Sequence, residues 1–264
     1  MDNIDHTVAI VTGATGAIGK AIALGLARLP NHKVVLVARD ERKTESTVQE
    51  LIKKTGNESI SYLLADLSCK EEIYALAEQW KDRLNILINN AAITPLQRKE
   101  NSEGIEMQFA TNVLGYFWMT KAFIPFLKEG APARVVNVAS YWAGDLDLSD
   151  LEFERRPYRN GTAYRQSKQA NRMLTVAFAE RLKHFGITVN ACHPGDVNSK
   201  LSNDLGFGGS MSPAQGAATP VWLASDPLVS EIRGAYFAHI QQENCPFSKD
   251  KQAIERLYEI CDNY

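Results

Sequence analysis

Tyr164 and Lys168, in the stretch Ala163-Tyr164-Arg165-Gln166-Ser167-Lys168, can do acid–base chemistry together if the segment carrying them is helical. Residues at i and i+4 lie one above the other on one helical face, so the ammonium can approach the phenol. Free tyrosine holds its proton to about pH 10 and is a sluggish acid or base at neutrality. Two unit charges about 4 Å apart attract by roughly 4 kcal/mol at an effective dielectric of about 20, or about three pK units in favour of phenolate. Lys168 is therefore expected to bring Tyr164 toward the working pH. The same spacing also arises as an aromatic edge beside a solvated charge, and the rest of the chain decides between the two readings.

A helix from about Gly161 to Phe185 would carry the pair, and its neighbours must place it beside something that reacts. Thr7 to Val11 is a continuous apolar run, and Ile18, Ile22, Leu24, Leu26 and Leu29 recur at helical spacing from Gly16 onward. Between them lies Thr12-Gly13-Ala14-Thr15-Gly16-Ala17-Ile18-Gly19, a glycine turn from strand to helix. Such a turn lets a pyrophosphate reach the free N–H groups at a helix N-terminus. Lys33 to Ala38 reads as the second buried strand, ending at Arg39-Asp40. At that strand end an acid would take the ribose 2′-hydroxyl, and an arginine would pair with a 2′-phosphate. Ala38 stands where the acid is expected and Arg39 follows, so NADP(H) is expected over NAD(H); otherwise Arg39 simply precedes the charged helix Asp40 to Lys54.

Further strands are expected over Ile60–Ala65, Leu84–Ile88, Ala133–Ala139, Ile187–Cys192 and Ala235–Ala238, with helices from Cys69 to Asp82 and from Ser102 to Lys128 between them. A helix opening at Ser212-Pro213 and a tail helix near Lys249 to Tyr258 complete the pattern. This alternation implies right-handed crossovers and an α/β doubly wound parallel sheet, one domain over 1–264. Asn112 is polar amid apolar neighbours and reads as a buried amide. The mixed-charge insert from Asp145 to Pro157 reads as a solvated surface loop. His193 reads as a packed or hydrogen-bonded residue at a strand end, and Leu205 to Ser210 as part of a flexible substrate lid near 198–216. Trp118, Trp142, Phe207 and Met211 are candidates to line an apolar pocket.

With 264 residues, a net charge of -2 and 45% hydrophobic residues, the chain can bury a large core and lacks the basic footprint of a nucleic-acid binder. The start, Met1 to His6, is polar and acidic, and no stretch reaches the roughly 20 apolar residues of a membrane span, so a cytoplasmic protein is expected. Cys69, Cys192, Cys245 and Cys261 are scattered, with no metal-ligand spacing; reduced thiols and no metal site are expected.

Together these motifs resemble the short-chain dehydrogenase/reductase family over about Val8 to Ala238. Tyr164-x-x-x-Lys168, Ser140 after its strand, Asn112, Asn89-Asn90-Ala91 and Pro194-Gly195 stand in family order and spacing. Arg39-Asp40, the Tyr164 helix with Ala170-Asn171, and His193-Pro194-Gly195-x-Val197 look closest to the retinol dehydrogenase-like and protochlorophyllide reductase-like branch. The resemblance implies a Rossmann fold and an NADP-dependent oxidoreductase acting on a small lipophilic carbonyl or alcohol, as a homodimer or homotetramer. By position, Tyr164 would move the proton, Ser140 would orient the substrate oxygen, and Asn112 would support a water relay. Lys168 would lower the tyrosine pKa and hold the nicotinamide ribose. Gly13, Thr15, Gly16, Ala17, Ile18 and Gly19 would take the pyrophosphate, and Asp66 and Leu67 the adenine. Asn90 and Ala91 would lie on the adenosine side, with Pro194, Gly195, Val197 and Ser199 near the nicotinamide.

Ala17 holds the family's middle glycine position, Gly16 precedes it, Ala92 replaces a glycine and Ser199 a threonine. The resulting Gly13-Gly16-Gly19 spacing is that of larger, extended members, which suggests an epimerase or dehydratase as one rival. A sensor or scaffold that binds NADP(H) without chemistry is the other.

Overall fold

A computed structural model of the chain describes residues 6–264. The polar start expected to carry no export signal lies, up to Asp5, outside the described residues. Eight strands form one sheet in the order β3-β2-β1-β4-β5-β6-β7-β8. They are β1 Thr7–Thr12, β2 His32–Ala38, β3 Ile60–Leu64, β4 Ile86–Asn89, β5 Ala133–Val138, β6 Ile187–His193, β7 Tyr236–Ala238 and β8 Gln241–Glu243. All neighbours pair in parallel except β7 and β8.

The central strands are apolar on both faces because helices cover both. Val8 and Ile10 of β1 enter one core with α3 (Lys70–Gln79), α4 (Gly115–Glu129), α5 (Asn160–Leu182) and α8 (Lys251–Asn263). Ala9 and Val11 enter the other, against α1 (Ala17–Ala27), α2 (Glu41–Thr55) and α7 (Pro213–Ser225). The tail helix α8 shows why its sequence folds there: Ile254, Leu257, Tyr258 and Cys261 fall on one stripe and are all buried. Each apolar side chain so buried contributes about 1.5–3 kcal/mol.

Three segments depart from the sequence expectation. Ser102 to Ile105 is not helical; it sits in a turn closed by a bridge between Glu100 and Glu106. The following residues Phe109–Leu114 form a π turn ahead of α4, with Asn112 inside it. The Asp145–Pro157 insert is not a solvated loop, since Asp150, Leu151 and Phe153 are buried. The Asp150 carboxylate accepts from the backbone N–H groups of Glu154, Arg155 and Arg156, and pairs with the Arg156 guanidinium at 3.1 Å. Arg156 in turn donates to Gln166, whose own amide donates to the Leu151 carbonyl, so the insert is strapped to α5 beside Tyr164. Among the described residues, no helix is long and apolar enough to cross a membrane.

Candidate active site

β1 ends at Thr12, and the chain turns at Gly13, whose φ of +63° lies in the left-handed region that glycine tolerates. Space makes glycine necessary as well. A Cβ on Gly13 would come within 2.7 Å of the Ala91 Cα, and one on Gly19 within 2.4 Å of the Gly13 carbonyl oxygen. Gly16 is freer, its nearest contact being 3.3 Å from the same oxygen. It is also the N-cap of α1 and offers no side chain to the first N–H groups, which are left for an incoming anion. The Asn90 amide donates to the Thr12 carbonyl at 2.8 Å and pins the turn to the end of β4.

This turn forms one wall of a cleft of about 570 Å³ along the C-terminal ends of the parallel strands. Of the residues expected to meet a cofactor, Gly13, Thr15, Gly16, Ala17, Ile18, Gly19, Arg39, Asp66, Leu67, Asn90, Ala91 and Ser199 line it. Arg39 reaches out at the end of β2, its guanidinium 4.0 Å from the Asp66 carboxylate and about two-thirds exposed. Sequence reasoning missed Ile93, Thr94, Lys99, Thr111 and Lys200 on the same wall. Thr111 stands in the π turn, and the others on loops and on the short helix α6 (Lys200–Asp204), where no periodic pattern marks them.

A smaller cavity of about 70 Å³ adjoins the cleft, and Ile18, Ser199 and Leu201 line both. Ser140, Tyr164, Pro194, Gly195 and Val197 line the smaller one, with Trp142, His193 and Phe207. Trp142 lies 5.9 Å from the Tyr164 ring and 4.7 Å from Phe207, both between ring centroids, which makes an aromatic wall. Trp118 is instead buried in the core beside α5, and Met211 packs its sulfur against Gly195.

Lys168 and Asn112 line neither cavity. The Lys168 ammonium nitrogen donates to the Val138 carbonyl at 2.9 Å and lies 5.6 Å from the Tyr164 ring centroid. The Asn112 amide is committed to the backbone of Ile93, accepting at 2.9 Å and donating at 3.0 Å. It also donates to Ser167, whose hydroxyl donates to the Tyr164 carbonyl at 2.7 Å. The π turn thus carries an amide that ties the cleft loop to the turn of α5 holding the tyrosine.

The electrostatics differ from the balance expected of an isolated Tyr–Lys pair. Burial pushes the Tyr164 phenol up to about 12, with the Ser140 hydroxyl pulling slightly the other way. Burial pulls Lys168 down to about 7, opposed by the Cys192 thiol. Desolvation acts on both groups against their charged forms and is the largest cause of each shift.

The family model for short chain dehydrogenases matches residues 7–206. Human retinol dehydrogenase 13 is 33% identical over 270 residues, covering 94% of this chain and 81% of that protein. Mouse retinol dehydrogenase 12 is 34% identical over 272 residues, covering 97% and 85%. Among solved structures, an uncharacterised Mycobacterium paratuberculosis protein superposes with a TM-score of 0.82 at 26% identity, covering 98% of this chain and 92% of that one. The Pseudomonas aeruginosa RhlG complex with NADP has a TM-score of 0.71 at 25% identity, covering 88% and 94%. The Brucella melitensis 3-ketoacyl-(acyl-carrier-protein) reductase bound to NADH has a TM-score of 0.70 at 26% identity, covering 90% and 98%. Glycine turn, parallel sheet, aromatic-walled cavity and matched sequence agree: the chain belongs to the short-chain dehydrogenase family, in its retinol dehydrogenase-like branch.

Proposed function

We propose that this protein is an NADP(H)-dependent carbonyl reductase acting on a small, lipophilic carbonyl compound, with the alcohol oxidation as its reverse. One observation carries the reading: Tyr164 and Ser140 share the wall of a small cavity that opens onto the large cleft. The names of the retinol dehydrogenases among the relatives refer to a lipophilic alcohol, and the RhlG structure holds NADP. Both support the substrate class and the cofactor.

The cleft fits a dinucleotide. Gly13 and Gly19 leave space that any Cβ would fill, and the uncapped start of α1 favours a pyrophosphate. Arg39, next to Ala38, offers a guanidinium to a 2′-phosphate. When bound, the nicotinamide supplies or takes up the hydride.

The chain's own residues then handle orientation and the proton. Ser140 holds the carbonyl oxygen, and Tyr164 gives that oxygen its proton as negative charge develops there. A phenol titrating near 12 is protonated across the neutral range, which suits donation and hence reduction. Lys168, half charged near neutrality, stabilises the phenolate left behind, while Asn112 fixes the position of the tyrosine's turn. Phe207, on a loop containing Gly206, Gly208 and Gly209 at positive φ, closes the aromatic wall as part of a lid over 198–216.

Aliphatic, aromatic and retinoid carbonyls offered with NADPH or NADH test this, with product identification by mass spectrometry. Conversion to the alcohol, faster with NADPH, is expected. Tight NADPH binding with no alcohol from any carbonyl would instead assign the protein to the non-catalytic sensors.

A further inference from the structure

The small cavity is lined by several polar residues that the proposed proton transfer does not use, Tyr141, Asp196, Ser199, Ser202 and His193 among them, and of these five only His193 is buried. His193, the last residue of β6, is 7% exposed and lines the cavity with Ser140 and Tyr164. Its Nδ1 is sealed from the cavity without a hydrogen-bond partner, whereas Nε2 is unpaired among the described residues but not sealed, which makes Nε2 the atom a bound molecule can reach. Of the two alternatives expected for this strand-end histidine, packed or hydrogen-bonded, the ring shows the first.

Leaving such a group unpaired is costly. A bound molecule that strips water from Nε2 without replacing that hydrogen bond forfeits about 1–3 kcal/mol, so one that presents a matching oxygen is favoured. Packing fixes the ring, since Tyr141 stands edge-on at 4.6 Å and His239 at 6.4 Å, between centroids. The surroundings also keep it uncharged: burial first, then His239 and Arg172, hold His193 down near 4. Arg172 itself is fixed, donating to the Ser140 carbonyl and stacking at 3.5 Å over the Tyr236 ring. The ring is thus a neutral, oriented imidazole with one donor and one acceptor, in a cavity whose apolar lining includes Trp142, Leu201, Leu205 and Phe207.

We infer that His193 is a specificity-determining residue, which hydrogen-bonds a second oxygen of the substrate while Ser140 and Tyr164 hold the reacting carbonyl. The preferred substrate class is accordingly an amphiphilic one, a hydroxy-ketone or hydroxy-aldehyde with an apolar body against the aromatic wall. A plain hydrocarbon carbonyl leaves the imidazole unpaired, and a site built around a hydrogen bond discriminates against the analogue lacking it. This inference rests on the carbonyl reductase reading above.

The probes are 2-decanone and its analogues bearing one hydroxyl two to five carbons from the carbonyl, each with NADPH. For the wild type, at least one hydroxy-ketone should exceed 2-decanone in kcat/KM by about tenfold, the worth of one hydrogen bond. In His193→Phe that ratio should fall to about one, mainly through a higher KM for the hydroxy-ketone, as for a lost ground-state contact. His193→Asn, which retains a donor and an acceptor in a smaller side chain, should restore part of the ratio, and NADPH binding reports that each variant is folded. Turnover of 2-decanone with no hydroxyl preference in the wild type, or a preference surviving in His193→Phe, overturns the inference and leaves the reductase reading standing. No turnover of any ketone, with NADPH bound, overturns both.

Discussion

Lys168→Met separates what the buried lysine costs the fold from what it does for the reaction. In the folded chain Lys168 titrates near 7, against an ordinary 10.5. Between those values the unfolded chain holds a proton that the folded one has lost, so stability rises with pH across the window. At about 1.4 kcal/mol per unit, a shift of about 3.5 units penalises the fold by roughly 5 kcal/mol once the lysine is fully charged. Roughly 3 kcal/mol of that penalty disappears between pH 6 and pH 9, by the same linkage. Methionine keeps most of the length and volume and cannot be charged. It does leave the Val138 carbonyl without the lysine's hydrogen bond, at a cost of about 1–3 kcal/mol. Urea unfolding of both proteins without cofactor should show Lys168→Met more stable by about 2–4 kcal/mol at pH 6 and nearly equal to wild type at pH 9. Tyr164 lies outside the comparison, because its folded value near 12 moves its linkage above pH 10 and both proteins contain it. A stability difference that does not change between the two pH values would refute the claim that burial discharges the lysine.

Other substitutions follow from the cleft and from the strapped insert. Gly19→Ala should weaken NADPH binding by about tenfold or more while Gly16→Ala changes it little, since only the former drives a Cβ to 2.4 Å from a backbone oxygen; fluorescence titration of NADPH decides. Arg39→Ala should weaken NADPH by about 10- to 100-fold, the worth of a charge-assisted hydrogen bond, and leave NADH unchanged in the same titration. Asp150→Ala should cost about 2–3 kcal/mol in urea unfolding, because it strips a buried acceptor from three backbone N–H groups and an arginine.

The alternation of apolar runs and helical spacing made the sheet legible, because strands buried on both faces leave little choice of residue. The cleft was legible for the same kind of reason: Gly13 and Gly19 are positions where only hydrogen fits. Other features left no local mark. β8 is the exposed tripeptide Gln241-Gln242-Glu243, with no apolar face to betray a strand. The insert reads as charged and solvated until Asp150 is seen collecting the N–H groups of its own turn. The π turn at Phe109–Leu114 is as apolar as the helix it interrupts, and its trace in the sequence is Asn112. Burial, a tertiary property, is the largest influence on the titration of Tyr164 and Lys168, and four-residue spacing carries no trace of it. The unpaired state of His193 likewise depends on what does not pack against it.

The account as a whole depends on a proton leaving the Tyr164 hydroxyl for a substrate oxygen. Single-turnover oxidation of bound NADPH by a reactive ketone, compared between wild type and Tyr164→Phe, measures that step with cofactor affinity checked separately. Loss of a positioned proton donor predicts a rate lower by about 10²- to 10⁴-fold with NADPH still bound. A Tyr164→Phe rate within threefold of wild type would contradict the account.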